Sequence, residues 1–337
     1  MGLPDLIRGG VVAALIATAV ACGAHAATQG SSSPSPSPSP SPSAPKSETV
    51  SKNDKCPPAA PGQAAAPPIN PAKITKLLVV VLENKNACAT VKGMPYLAGL
   101  ADKYATAARY YAMAHPSLPN YLTLAGGSTF GIRDDRSPAA HKLPGQSVFG
   151  QVLAAGEIAK TYAEDMKSNC QLEQGKHDTY AVRHNPWLYF VSDAERQACQ
   201  QYDVPAGTPE AGAFHDDVAN GTLPTFGFLA PNLCDDAHDC PLGSANTWMK
   251  TWFEPLLAGP DFTSGHLLVL ITFDEDDKHA GNRVLMVAVH PSLHHLVVDT
   301  RLDHTATSKA VSTLVSAPPL REAANAPDLY TTLGLTH

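Results

Sequence analysis

Short apolar segments recur along the chain and alternate with segments of helical periodicity. The first, at 74–82, reads ITKLLVVVL, a run of leucines and β-branched residues that is typical of a strand covered on both faces. This alternation predicts an α/β fold, in which a mostly parallel central sheet carries helices on both faces. Further strands are expected at 158–163, 225–229, 266–273 and 283–289, and helices at 94–104, 146–155, 244–257 and 307–315.

Three of the expected strands lead directly into polar residues. The first is followed by Glu83 and Asn84, the fourth by the carboxylates at 274–277, and the last by His290. Open parallel sheets bind ligands beyond the carboxyl ends of their strands, so we expect these groups to share one edge. Oxygen ligands there suit a divalent cation. Two plainer interpretations stay open: Asn84 as a helix N-cap, and 274–277 as a solvated acidic loop.

A proline-rich segment contains Ser117. It reads HPSLPNYL at 115–122, and its two prolines restrict the backbone on either side of the serine and disfavour helix at the residue before each. We therefore expect Ser117 on a rigid turn. A hydroxyl held beside a divalent cation can lose its proton and attack phosphorus, with Asn120 donating a hydrogen bond to a phosphate oxygen.

The N-terminus, through residue 26, has the layout of a secretory signal. Arg8 precedes an apolar run at 11–21, and small residues follow. Two processing sites compete: an A-x-A site at 24–26, and a lipobox-like segment at 19–23 that would place a lipid on Cys22. We favour the second, which provides the one expected attachment to a membrane.

The linker and the cysteines also indicate export. Residues 27–70 are rich in serine and proline and predict a disordered spacer before a catalytic domain at 71–337. The expected location is extracytoplasmic, as a cell-surface lipoprotein or a secreted protein. Six cysteines after Cys22 suggest up to three disulfides, with Cys234 and Cys240 as the best local pair, and the absence of a C-x-x-C pair disfavours zinc. The six are Cys56, Cys88, Cys170, Cys199, Cys234 and Cys240.

Seven short motifs follow one another between about residues 74 and 316. They are Leu82-Glu83-Asn84, His115-Pro116-Ser117-Leu118-Pro119-Asn120-Tyr121, Tyr162-Ala163-Glu164-Asp165-Met166, His184-Asn185-Pro186, Pro231-Asn232-Leu233-Cys234-Asp235-Asp236-Ala237-His238-Asp239, Thr272-Phe273-Asp274-Glu275 and Asp303-His304-Thr305. In this order they resemble the phosphoesterase family of bacterial and fungal acid phosphatases and phospholipases C. The serine segment also resembles the nucleophile turn of nucleotide pyrophosphatases. The resemblance implies an alkaline-phosphatase-like three-layer sandwich with a metal site at the carboxyl edge of its sheet.

The resemblance also implies roles for individual residues. Ser117 would be the nucleophile and Asn120 the oxyanion donor. Asp236 and His238 match a motif whose members either bind a second metal or supply a general acid, and a structural turn is the alternative there. The expected metal ligands are Glu83, Asn84, Asp236, Asp274, Glu275 and His304, the expected catalytic residues Ser117, Asn120 and His238, and the expected substrate-binding residues His115, Lys85 and His184.

These inferences predict an exported, metal-dependent phosphoesterase, most simply an acid phosphatase acting on a small phosphate monoester. Lys85 stands where relatives often carry histidine, so it either pairs with substrate phosphate or indicates one metal ion instead of two. The metal's identity and the oligomeric state stay open. A net charge of -7 without a basic stripe argues against nucleic acid as a partner. The alternatives are a phospholipase C-type phosphodiesterase and a non-catalytic binding lipoprotein.

Overall fold

A mixed nine-stranded sheet forms the centre of the described part of the chain. The computed structural model describes residues 73–175, 177 and 179–337. The expected signal at 1–26, the linker at 27–70, Cys22 and Cys56 lie outside the described residues. The strands are β1 (Lys76–Leu82), β2 (Ala105–Tyr111), β3 (Ala159–Ala163), β4 (Asp203–Pro205), β5 (Phe226–Ala230), β6 (Leu267–Phe273), β7 (Arg283–Val289), β8 (Leu296–Val298) and β9 (Leu302–Asp303).

Ten α-helices surround this sheet in the described part of the chain, and they form two packed groups. One group contains α3, α4 and α9, with α9 also against β1; the other contains α1, α2 and α7. No helix among the described residues is long and apolar enough to cross a bilayer. The helices are α1 (Ala87–Gly93), α2 (Pro95–Lys103), α3 (Ser117–Gly126), α4 (Val148–Ala154), α5 (Asp193–Tyr202), α6 (Ala213–Asn220), α7 (Leu242–Ala258), α8 (Pro260–Thr263), α9 (His304–Leu314) and α10 (Leu329–Leu333), and three 3-10 turns occupy Val182–His184, Pro186–Tyr189 and Arg321–Asn325.

The strand order is β4-β3-β5-β1-β6-β7-β2-β8, with β9 beside β2. Strand β1 lies parallel to both of its neighbours, β5 and β6, and every residue of β6 is buried. Side chains on both faces of these strands are therefore covered by helices. The predicted α/β class, with a mostly parallel sheet between helices, is confirmed.

One strand runs against the predicted direction. Strand β7 is antiparallel to β6 and to β2, so its carboxyl end lies at the opposite edge of the sheet from Glu83. His290, which follows β7, contacts the Gly265 carbonyl at 2.9 Å and the Ser292 hydroxyl at 2.6 Å. The expectation that His290 joins the group at the carboxyl edge is wrong, because a short antiparallel connection reverses the chain after β6.

Two disulfides lie among the described residues. Cys234 pairs with Cys240, as predicted, and Cys170 pairs with Cys199. Beside the second disulfide, the buried carboxyl of Asp203 accepts hydrogen bonds from the Asn185 amide at 2.8 and 2.9 Å. Burial nevertheless raises the pKa of Asp203 to about 8.

Glu195, at the start of α5, joins three segments through its buried carboxylate. Its oxygens accept hydrogen bonds from the backbone N–H of Ser147 at 2.7 Å, from the Ser147 hydroxyl, and from the indole N–H of Trp187 at 2.7 Å. Removal of such an acceptor leaves buried donors unsatisfied. The network therefore ties α4 and the turn at Pro186–Tyr189 to α5.

We expect Glu195→Ala to lower the free energy of unfolding by about 3 kcal/mol, because two buried N–H groups and a hydroxyl lose their acceptor. Urea denaturation measures this change. Glu195→Gln keeps one acceptor oxygen and should cost less. Glu254→Ala, at an exposed site in α7, should cost under about 0.5 kcal/mol. Equal losses for Glu195→Ala and Glu254→Ala would contradict the structural role of Glu195.

A second expectation concerns pH. The folded protein holds the Asp203 proton up to about pH 8, whereas the unfolded chain releases it near pH 4. Stability from this group is complete below pH 4 and is lost as the pH rises toward 8. Between pH 5 and 7.5, the free energy of unfolding should therefore fall more steeply in the parent protein than in Asp203→Asn. In the exposed control variant Asp102→Asn, the free energy of unfolding should fall with pH as steeply as in the parent protein. An equally steep fall in Asp203→Asn would refute the raised pKa of Asp203.

Candidate active site

Glu83 follows β1 directly, and its carboxylate is fully buried. One oxygen, Oε2, accepts hydrogen bonds from the Ser117 hydroxyl at 3.0 Å and the Asn84 side-chain amide at 2.8 Å. The other, Oε1, lies 2.9 Å from His184 Nε2. The backbone N–H of Glu83 donates to the carbonyl of Asp236 at 2.8 Å. One residue at a strand end thus contacts three other parts of the chain.

Ser117 is the first residue of α3, and not part of a separate turn as predicted. A cis peptide bond joins His115 to Pro116, the N-cap of the helix, and Pro119 lies within the first turn. Proline is tolerated there because the first helical N–H groups have no partner inside the helix. Ser117 is 4% exposed, so its hydroxyl is held beside Glu83 at the positive end of the helix dipole.

Asn120, one turn further along α3, holds the segment before the helix. Its carbonyl oxygen accepts hydrogen bonds from the N–H groups of Met113 and Ala114, at 2.8 and 3.0 Å. Its amide donates to the Ala114 carbonyl at 2.8 Å and lies 3.4 Å from Glu275 Oε2. In this arrangement Asn120 positions the loop that leads to Ser117.

Asp274 and Glu275 follow β6 and reach the same edge as Glu83. Asp274 Oδ1 accepts the backbone N–H of Asn84 at 2.9 Å, whereas Oδ2 is buried with no hydrogen-bond partner among the described residues. Burial, then the nearby Glu83 and Glu275, raise the pKa of Asp274 well above its usual range. Glu275 lies 3.0 Å from His115 Nδ1, and its pKa is raised to about 7, chiefly by burial.

The rest of the 274–277 run is organised as well. Asp276 Oδ1 lies 3.2 Å from His115 Nε2, and Oδ2 accepts the backbone N–H groups of Ala280 and Asn282. Asp277 accepts a hydrogen bond from Asn86, the residue that caps α1. The run is therefore not a solvated acidic loop. The helix N-cap is Asn86 and not Asn84.

His184 lies between two carboxylates. Its ring nitrogens are 2.9 Å from Glu83 Oε1 and 3.0 Å from Asp236 Oδ2, and its ring stacks on Tyr121. Burial would lower the pKa of His184, but the carboxylates outweigh it and raise the pKa to about 9. Burial would likewise raise the pKa of Glu83, but the imidazolium holds it at about 2. This histidine is an internal cation of the site.

Two expected site residues, His304 and Lys85, already have protein partners. His304 Nε2 lies 2.7 Å from the Asp274 carbonyl, and Nδ1 lies 3.0 Å from the Tyr110 hydroxyl. Burial lowers the pKa of His304 to about 4, so the ring is neutral and both nitrogens are used. The expectation of His304 as a metal ligand therefore does not fit this geometry. Lys85 donates to the Ala237 carbonyl at 2.8 Å.

His238 occupies the partly exposed side of the cluster. Its Nδ1 lies 2.6 Å from Asp239 Oδ1, and its Nε2 lies 3.1 Å from a guanidinium nitrogen of Arg183. The sequence reasoning missed Arg183, although it stands directly before His184. It also missed Asp135, whose carboxylate accepts the backbone N–H of Leu118 at 2.9 Å, since nothing in the local sequence singles out that residue.

The donor set fits a hard divalent cation. Glu83, Asn84, Ser117 and Asp274 offer oxygen atoms, which such cations prefer, and Asp274 Oδ2 is buried without a partner among the described residues. Across the described ranges, the one group of three His, Cys or carboxylate ligand atoms within 4.8 Å of each other is Cys170, Cys199 and Asp203. Two of those are joined as a disulfide. A cation at Glu83 would therefore need the neutral oxygens of Ser117 and Asn84 as well as the carboxylates.

Two curated relatives are similar to much of this chain. A phosphate-repressible acid phosphatase from Penicillium chrysogenum is 32% identical over 66% of this chain and 53% of its own length. A phosphatidylinositol-3-phosphatase from Mycobacterium tuberculosis is 28% identical over 75% of this chain and 81% of its own. The chain spans about half the length of the curated acid phosphatases that it matches.

A solved structure supports the fold. A sulfatase-like protein from Bacteroides thetaiotaomicron superposes with a TM-score of 0.51 at 12% identity, covering 79% of this chain and 76% of that protein. Residues 90–315 of this chain match the Phosphoesterase family model, and this range contains Ser117, Asp236 and Asp274. Together with the fold, the match shows that the chain belongs to the phosphoesterase family.

Proposed function

We propose that this chain is an exported, metal-dependent hydrolase of phosphate monoesters that acts as an acid phosphatase does. The observation that carries the proposal is the buried hydroxyl of Ser117, the first residue of α3, which donates a hydrogen bond to Glu83. The oxygen atoms around it are ligands suited to a cation. The names of the relatives, acid phosphatase and phosphatidylinositol-3-phosphatase, support it. Export rests on the N-terminal sequence, and the two disulfides agree with an oxidising compartment.

In the proposed reaction, Ser117 Oγ attacks phosphorus, so that a serine phosphoester forms as the ester bond to the alcohol breaks. The serine proton leaves to water, and the departing alkoxide takes a proton from protonated His238, whose Nε2 would first move away from Arg183. Water then cleaves the serine phosphoester, which releases inorganic phosphate and restores the hydroxyl and His238. The positive end of α3 favours the phosphate oxygens. A bound divalent cation would supply the charge that lowers the pKa of the hydroxyl and offsets the charge on phosphate.

The metal ligands are proposed as Glu83, Asn84, Ser117 and Asp274, with Glu275 alongside. His184 already neutralises Glu83 and Asp236 from the other side, which favours one cation over two. His304 is proposed as a positioning residue, because it holds the Asp274 carbonyl. Asn120 is proposed first as a positioning residue. To act as an oxyanion donor, its amide would have to turn from the Ala114 carbonyl toward the substrate.

Ser117→Ala should lower kcat on p-nitrophenyl phosphate by at least about 10³-fold, because the nucleophile is lost. The matched control is Ser308→Ala in α9, whose buried hydroxyl has no hydrogen-bond partner among the described residues; it should keep parent activity. Steady-state release of p-nitrophenol at pH 5 measures both. Full activity in Ser117→Ala, or faster cleavage of bis(p-nitrophenyl) phosphate than of the monoester, would contradict the proposal.

Metal removal should strongly reduce hydrolysis. After dialysis against a chelator, activity on p-nitrophenyl phosphate should fall at least about tenfold and return on addition of a divalent cation. Glu83→Gln should then need a higher cation concentration for half-maximal activity, whereas the exposed Glu254→Gln should not. Undiminished activity in protein shown by elemental analysis to be free of metal would overturn the metal site.

A further inference from the structure

A cavity lies beside the cluster formed by Glu83, Ser117, His184 and Asp274. Its volume is about 680 Å³, within the range of small-molecule sites. Two lining residues connect it to the cluster: Asp135 accepts the backbone N–H of Leu118, next to Ser117, and Arg183 directly precedes His184. The cavity therefore lies next to the segments that carry Ser117 and His184.

Three cationic side chains line the cavity: Lys142, Arg183 and Arg196. Arg183 approaches His238, while Lys142 and Arg196 form no ion pair with any other described residue. The carboxylates of Asp135 and Glu173 also line it, leaving an excess of one positive charge. Asp135 is already used by a backbone N–H.

Arg196 has hydrogen-bonding capacity that the described residues do not use. Its Nη1 is buried and donates to no acceptor among the described residues. Arg196 also lines the cavity, and a guanidinium there can bind phosphate or carboxylate through two parallel hydrogen bonds.

We propose that this cavity binds a second anionic group of the substrate, so that the preferred phosphate monoesters carry a further phosphate or carboxylate. The proposal rests on the proposed function, since it extends the Ser117 site. Arg196 and Lys142 hold the distal anion while Ser117 receives the phosphate that is cleaved. The same chemistry is found in a soluble sugar bisphosphate and in the headgroup of a phosphorylated phosphoinositide.

The test compares fructose 1,6-bisphosphate, phosphatidylinositol 3-phosphate in phosphatidylcholine vesicles, and p-nitrophenyl phosphate, which has no second anion. Arg196→Met and Lys142→Met should each raise KM about tenfold for at least one of the first two substrates. The kcat of both variants on these two substrates should stay within about twofold of the parent value. Their kcat and KM for p-nitrophenyl phosphate should also stay within about twofold. Arg109→Met, on β2 toward the opposite side of the sheet, is the matched control. The substrate that is affected identifies the source of the anion.

Equal changes in KM for all three substrates would overturn the proposed role of the cavity. Unchanged KM for both fructose 1,6-bisphosphate and phosphatidylinositol 3-phosphate would overturn it as well. Thermal unfolding checks that Arg196→Met is folded, and the exposed Lys142→Met gives the same readout with little structural risk. A parent protein that cleaves none of these esters with metal supplied would instead refute the proposed function. Calorimetric binding of fructose 1,6-bisphosphate to the parent and to Arg196→Met would then still test the cavity, and equal affinities would overturn it.

Discussion

The buried carboxylate of Glu83 is the constraint on which the site depends. It joins the end of β1 to the Ser117 hydroxyl and to His184, and its backbone N–H holds the Asp236 segment. A carboxylate in this position is stable only if a positive charge is near. The His184 imidazolium provides that charge on one side. On the other side, Asp274 has a buried oxygen without a hydrogen-bond partner in the described part of the chain, where a cation would complete the balance.

Sheet topology explains how much of this arrangement can be predicted from sequence. The apolar runs before Glu83 and Asp274 predict strand ends, and the parallel pairing of β1 with β6 brings these ends together. The direction of β7 could not be predicted, because an apolar run has the same pattern in either direction, and His290 was misplaced as a result. Pro119 suggested a turn at Ser117, yet the first turn of a helix accepts proline without loss of a hydrogen bond.

The roles of polar residues were harder to predict than their location. Asn120 and His304 are close to the cluster, as the motifs implied, but both are engaged by the backbone of neighbouring segments. Those contacts depend on the path of the loop before α3 and of the chain after β6, which local sequence does not specify. Burial also raises the pKa of Asp203 and of Glu164 to about 8, so both carboxyls favour the folded state in acid.

The central claim is that the Ser117 hydroxyl, held by Glu83, attacks phosphorus. Its most direct test is an acid quench of the enzyme during turnover of a phosphate monoester at pH 5, followed by peptide mass spectrometry. The account predicts a phosphoryl group on Ser117, at up to one per active site. A burst of alcohol equal to the enzyme concentration with the phosphoryl group on another residue, or on none, would contradict it.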